Sequence, residues 1–368
     1  MKSNRLHHRG QRRILARIFT FALGLLAVPS AYAGEIREVY RNTEVQAMGG
    51  ASIAVVEDEA ALYLNPAGLA ATKKIKIHLV TADIAFGSEL LGFIPAATAA
   101  FNHLGPDTLN VLMGKRIYVQ GQATPTFMMP NFAFGILLDQ QLALYTVNRA
   151  LPNFTLGYQT TNGAQAGYGV AIKPKGGGDR SEIRLGFAGK MLFRRGGYRL
   201  VPVTELTALS QETIHRITGD FGQGFGVDLG AQYFFKVNKI LTVSAGVVYR
   251  DIGDTNFGSG PDPIKGDLGY GLGARLNMGM LKITGDWDYS HLQDRTDWRK
   301  KNHFGLSFGL PFLSVFGGVD QVYLTYGAAV DVWLLRIAAA SYAEELDSFV
   351  YQAPQRRWSL RVDFKLGF

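Results

Sequence analysis

No cysteine occurs among the 368 residues, so the fold holds no disulfide framework and no lipid is attached through an N-terminal cysteine. No apolar run of roughly 20 residues follows position 33, which excludes crossing a bilayer as a helix. A basic surplus is missing from the body of the chain as well. The first 33 residues carry six of the 38 Lys and Arg and none of the 30 Asp and Glu, so the formal charge of +8 falls to about +2 beyond them. Nucleic-acid binding needs a basic patch that survives in the mature domain and is therefore not expected. Catalytic constellations are lacking too. His78, His103, His215, His291 and His303 are dispersed, with no Gly-x-Ser-x-Gly elbow and no His-Glu-x-x-His pair. Lys175-Gly176-Gly177-Gly178-Asp179 lacks the Lys-Ser/Thr and helix context of a phosphate loop and reads as a hairpin loop. Neither an enzyme nor a cofactor or metal is expected.

What is present begins with a leader. Lys2, Arg5, Arg9, Arg12, Arg13 and Arg17 precede an apolar stretch from Ile18 to Val28, and Ala31-Tyr32-Ala33 follows. That order is a secretory signal peptide cleaved after Ala33. The mature chain shows no linker between two cores, and one large closed sheet suits its length. Its 44 glycines and 12% aromatic residues suit strands with one oily and one polar face.

Alternation of period two is plain in the second half. Phe225, Val227, Leu229, Ala231, Tyr233 and Phe235 oppose Gly226, Asp228, Gly230, Gln232 and Lys236, and Leu241 to Arg250 repeats the pattern after a turn at Asn238. A second hairpin sets Leu268, Tyr270, Leu272, Ala274 and Leu276 against Gly269, Gly271, Gly273, Arg275 and Asn277, then continues through Leu281 to Tyr289. Alternation alone does not separate a soluble sandwich from a membrane barrel. Two features do. Aromatics such as Tyr233, Phe235, Tyr249, Trp287 and Tyr289 close the apolar faces near strand ends, as in an interfacial girdle. The chain also stops on an alternating strand, Trp358 to Phe368, and a terminal aromatic in that place resembles the signal read by the barrel-assembly machinery. Further strands are expected near 75–86, 126–138, 141–149, 165–173, 183–194, 303–310, 315–319, 322–332 and 334–343, with Phe154 to Tyr158 a candidate extra. The expected architecture is all-β, a transmembrane antiparallel barrel of about 14 strands over 73–368. Helical inserts are expected near 88–116 and 204–218, packed against the barrel rim rather than binding a partner.

Between leader and barrel, residues 34–72 hold Gly49-Gly50 and the run Asn65-Pro66-Ala67-Gly68. Pro66 fixes its own φ and holds Asn65 extended, while Asn65 can hydrogen-bond nearby backbone. Read from these residues alone, the segment is a helix end and a turn before the first strand. In order and spacing, over about 26 residues, it resembles the N-terminal hatch of the FadL family, outer-membrane transporters of long-chain fatty acids and aromatic hydrocarbons. A wider group sharing this hatch includes PorV-type and TraF-like barrels, and residues 222–257 and 318–346 look more like the TraF-like members. The resemblance implies a hatch-plugged lumen, with Gly49, Gly50, Asn65, Pro66, Ala67 and Gly68 forming the plug, and uptake of small hydrophobic molecules. It also implies a ligand groove and lateral opening at a kinked strand, for which the sequence offers no position.

The inward set is expected to include Arg184, Lys190, Arg194, Asp228, Gln232, Arg250, Arg275, Asp286, Asp288, Arg361, Asp363 and Lys365. Its mixed signs point to charges that pair with one another and stiffen the interior, whereas a selective ion path would call for a ring of one sign. Outer-membrane lipid of a Gram-negative cell is the expected surroundings. The alternatives are a structural or interaction barrel serving secretion or conjugation proteins, and a general porin.

Overall fold

In the computed structural model the described residues are 35–36, 38–90, 92, 114–145, 153–174, 180–202, 218–258 and 260–367. The leader, nearly all of both expected helical inserts, the glycine run at 176–178 and Phe368 lie outside them. Fifteen strand segments form one antiparallel sheet: β1 (Lys76–Gly87), β2 (Arg116–Ala123), β3 (Thr126–Met129), β4 (Phe132–Tyr145), β5 (Asn153–Ile172), β6 (Ser181–Pro202), β7 (Phe221–Lys236), β8 (Leu241–Arg250), β9 (Asp267–Met278), β10 (Leu281–Tyr289), β11 (Asn302–Gly309), β12 (Leu313–Asp320), β13 (Tyr323–Val332), β14 (Leu335–Glu345) and β15 (Pro354–Gly367). Because β2 and β3 both lie between β1 and β4, they are two pieces of one stave, and the wall has 14. The sheet closes on itself where β1 pairs with β15 from Lys76 opposite Gly367 to Gly87 opposite Arg357. Closure leaves no edge strand with unpaired backbone groups, the condition for standing in hydrocarbon.

Burial is inverted relative to a soluble protein. Phe225 is 68% exposed and Leu324 62%, whereas Asp228 and Arg361 are each 1% exposed. Oily side chains face outward and charged ones inward, which defines a membrane-spanning barrel. Tyr270, Trp287, Tyr289 and Phe304 sit together on this outer face, with ring centroids 5.7–6.3 Å apart, the arrangement of an interfacial aromatic patch. No helix among the described residues is long and apolar enough to cross a membrane.

Several strand limits differ from those expected. Instead of separate strands over 126–138 and 141–149, the chain turns at Pro130-Asn131, where Asn131 takes φ 66°, and runs unbroken from Phe132 to Tyr145. Asp139-Gln140-Gln141 looks like a loop in sequence. Asp139 and Gln141 face the lumen instead, with Gln140 outward between them: Gln120 Nε2 and Gln141 Nε2 donate to the two Asp139 carboxylate oxygens at 2.7 and 2.9 Å. Residues 165–173 and 154–158 belong to one 20-residue strand, and 183–194 to one of 22 residues. Roughly 9–11 residues suffice to cross the hydrocarbon. The surplus stands in water, where apolar alternation is not required, so the ends were illegible. Arg116–Ala123 was not expected as a strand; the expected helical insert ends at its first residue.

Connections are short at one end, as at Gly279-Met280 and Trp333-Leu334, and longer at the other, as at 251–266 and 290–301. The first described residues enter near the long-loop end, where Arg357 Nη2 meets Glu35 Oε1 at 2.7 Å. From there the segment 35–72 fills the interior and reaches β1 at the short-turn end.

Candidate functional site

The inner segment folds locally for ordinary reasons. Asn42 caps the helix Thr43–Ala47, its side chain accepting from Glu44 N and Val45 N, and Asn65 caps the short 3-10 helix Pro66–Ala71, accepting from Ala67 N at 3.2 Å. Proline at the first helical position needs no amide partner. Asn65 Nδ2 donates to Ile53 O at 2.9 Å, so one fully buried carboxamide joins two turns of the segment. Tyr40 and Tyr63 stack with centroids 4.3 Å apart.

Glycines in the wall decide how closely this segment approaches. Gly169, Gly186 and Gly230 lie opposite one another on β5, β6 and β7. A Cβ at Gly186 would overlap the backbone of Pro66 and Ala67, one at Gly230 would overlap Asn65 Oδ1, and one at Gly169 would press on Ala70 N at 2.6 Å. The three form a smooth floor under the Asn-Pro-Ala turn. A second floor, Gly305 opposite Gly318, receives Met48 and Gly49. Gly49 and Gly50 take φ 67° and 80°, and Gly49 O lies 3.1 Å from His303 Nδ1. Gly68 is packed under Val56 O, and Ala67 is fully buried.

The inward charges do not form one network. Lys190 bridges Asp228 and Asp251 at 2.8 Å each, and Arg250 pairs with Asp267. Arg184 and Arg275 instead converge on Glu57 of the inner segment, Arg184 at 2.5 Å. Burial pushes the Glu57 carboxyl up, but Arg275 and then Arg184 overcome it and hold its pKa below the ordinary carboxylate range. Arg361 spans Glu59 of the segment at 2.5 Å and Asp83 of β1 at 2.9 Å. Asp363 accepts from Thr81 Oγ1 at 2.9 Å and lies 3.0 Å from His78 Nδ1. Asp288 Oδ2 accepts from Ser52 N and Ile53 N at 2.6 and 2.9 Å, and Asp286 is buried two residues away on the same face. Arg194 is buried against the Phe257 ring and donates to Thr161 Oγ1 at 3.0 Å. Gln232 Nε2 donates to Ile53 O at 3.0 Å, and Lys365 reaches Asp331 at 2.8 Å. Sequence reasoning missed the segment's own acids, Glu57 and Glu59. Two carboxylates two residues apart in a turn-rich stretch carry no signal of the arginines they meet.

A cavity of about 190 Å³ remains at the long-loop end. Val39, Tyr63, Leu64, Leu137, Leu192 and Ile264 supply its oily side, while much of the rest of its lining is charged, with Lys190, Arg194 and Arg250 beside Glu38, Asp251, Asp262 and Asp267. Next to Leu137 the stave is interrupted at Thr124-Pro125: Pro125 has no N–H, Ile136 N donates to Pro125 O at 3.0 Å, and the neighbouring β1 shifts register against β15 between His78 and Val80.

A closed wall, an oily outer face and a charged interior filled by the chain's own N-terminal segment define an outer-membrane β-barrel. No protein-family model and no curated protein sequence matches the chain. Among solved structures, the chain is similar to the TodX monoaromatic hydrocarbon channel in a deltaS2 mutant form, with TM-score 0.51 and 13% identity over 90% of this chain and 98% of that one. The Pseudomonas putida toluene transporter TodX aligns at TM-score 0.47 and 12% identity over 89% of this chain and 97% of that one. The Ralstonia pickettii toluene transporter TbuX gives 0.48 and 12% over 89% and 98%. At such identities the likeness speaks for the fold alone.

Proposed function

We propose that this chain takes up small hydrophobic molecules across the outer membrane, residues 34–72 acting as the hatch that keeps the lumen closed to water and ions. The cavity at the long-loop end carries this reading. A cavity of roughly 150 Å³ holds benzene, so about 190 Å³ has the volume for a single-ring hydrocarbon seated against its oily side. Short periplasmic turns and longer extracellular loops are the rule for such barrels, which sets the cavity at the extracellular mouth. The structures it resembles include a monoaromatic hydrocarbon channel, which supports the same substrate class. The exit follows from the interruption at Thr124-Pro125, one residue from the cavity-lining Leu137, because the glycine floors and ion pairs leave little room to pass along the lumen.

Labelled toluene uptake by cells carrying or lacking the chain tests the proposal. Uptake that falls on loss and returns on complementation supports it, and uptake independent of the chain overturns it. The dense seating of the inner segment favours one second reading, a closed structural barrel serving a secretion or conjugation system. That reading requires export or conjugation, rather than uptake, to fail in the deleted strain.

A further inference from the structure

The seam where the barrel closes carries a cluster that uptake does not use. There Thr81 of β1 lies opposite Asp363 of β15, Asp83 lies opposite Arg361, and the inner segment brings Glu59 against both strands. His78 turns a ring nitrogen to each of two acids. Nδ1 lies 3.0 Å from Asp363 Oδ1, and Nε2 lies 3.7 Å from Glu59 Oε2. One imidazole nitrogen and one oxygen from each carboxylate fall within 4.8 Å of one another, and all three residues are buried.

Charge in this cluster does not balance. Glu59, Asp83 and Asp363 are buried carboxylates, and the guanidinium among them is that of Arg361. The nearby cations are engaged elsewhere, Lys365 with Asp331 and Arg336 with Glu44 and Asp331. With a neutral imidazole the group holds an excess of two negative charges; a protonated one leaves an excess of one. Buried charge demands compensation, and a divalent cation supplies it. The ligands are also prepared. Arg361 grips Glu59 Oε1 and leaves Oε2 toward His78, and the Thr81 hydroxyl fixes Asp363. Such outer contacts orient metal-binding carboxylates. Bonds of about 2.1 Å at a tetrahedral centre imply ligand separations of roughly 3.4 Å, which side-chain rotations of an ångström or two attain.

We propose that Glu59, His78 and Asp363 bind one divalent transition-metal cation, of the kind that accepts mixed imidazole and carboxylate ligands such as Zn2+, and so tie the inner segment to the closing seam. The full-length barrel, purified in detergent and stripped with chelator, should take up one equivalent of Zn2+ and give a visible absorption band with Co2+. His78→Gln and Asp363→Asn should each weaken Zn2+ binding by about tenfold or more, whereas His291→Gln, outside the cluster, should leave it unchanged. Heat-modifiable migration in unheated detergent gels reports folding. Should the wall variants misfold, Glu59→Gln in the inner segment reads the same loss. Wild-type protein that binds no stoichiometric Zn2+, or folded variants that bind it as tightly as wild type, would overturn the proposal and leave His78 as a bridge between two acids.

Discussion

Gly186→Ala and Gly189→Ala make the same substitution on the same strand, three residues apart, and should behave in opposite ways. At Gly186 an added Cβ meets the backbone of Pro66 and Ala67, which a side-chain rotation does not relieve. At Gly189 it meets nothing within 4 Å, on the exposed outer face. Overpacking a close contact costs about 1–3 kcal/mol, and displacing the turn weakens the Asn65 cap, worth about 1 kcal/mol. Replacing glycine in a strand returns roughly 0.5–1 kcal/mol at either position. Gly186→Ala should therefore lose about 2 kcal/mol, while Gly189→Ala is neutral or slightly stabilised. The assay is reversible urea unfolding in phospholipid vesicles followed by the fluorescence of the four tryptophans, comparing midpoints at unchanged slope. Equal shifts for the two variants, or a gain for Gly186→Ala, would refute the idea that the wall is glycine-lined to seat the inner segment.

Arg361→Met leaves Glu59 and Asp83 buried without their guanidinium, and the loss in the same unfolding assay should be roughly 3–5 kcal/mol. Glu57 has a folded pKa below its unfolded value, so its contribution is present above roughly pH 4.3 and is lost as pH falls through the lower folded value. Acid titration of stability should accordingly be shallower in Glu57→Gln than in wild type over that window. Val322 holds φ 76° in the turn between β12 and β13, a conformation that costs a β-branched residue about 1–2 kcal/mol. Val322→Gly should thus raise the unfolding midpoint. Leu192→Trp fills the cavity from a buried position on its wall, and toluene uptake should fall toward that of cells lacking the chain while the barrel still migrates as folded.

The hairpins from Phe225 onward were legible because each crosses the membrane with one face in lipid, where every second residue has to be apolar. Residues 116–123 and 159–164 were not. There the outward residues are mixed, the strands run on into water, and Pro125 divides the stave. The Asn-Pro-Ala turn was readable as a turn, and its likeness to a hatch was visible as a motif. Its seat was not, since Gly169, Gly186 and Gly230 are 17 and 44 residues apart and become one floor only through strand register.

Local chemistry in the chain determined the membrane class, the alternation, the inward charges and the capped turns, because each depends on neighbours within a few residues. Tertiary structure alone decided which charge meets which. Closing the sheet sets β1 beside β15 and surrounds the inner segment with staves from both ends of the chain. Glu57 then faces Arg184 and Arg275, 127 and 218 residues away, and Glu59 faces Arg361 across 302. No periodicity in the chain encodes separations of that length; the circumference of the barrel imposes them.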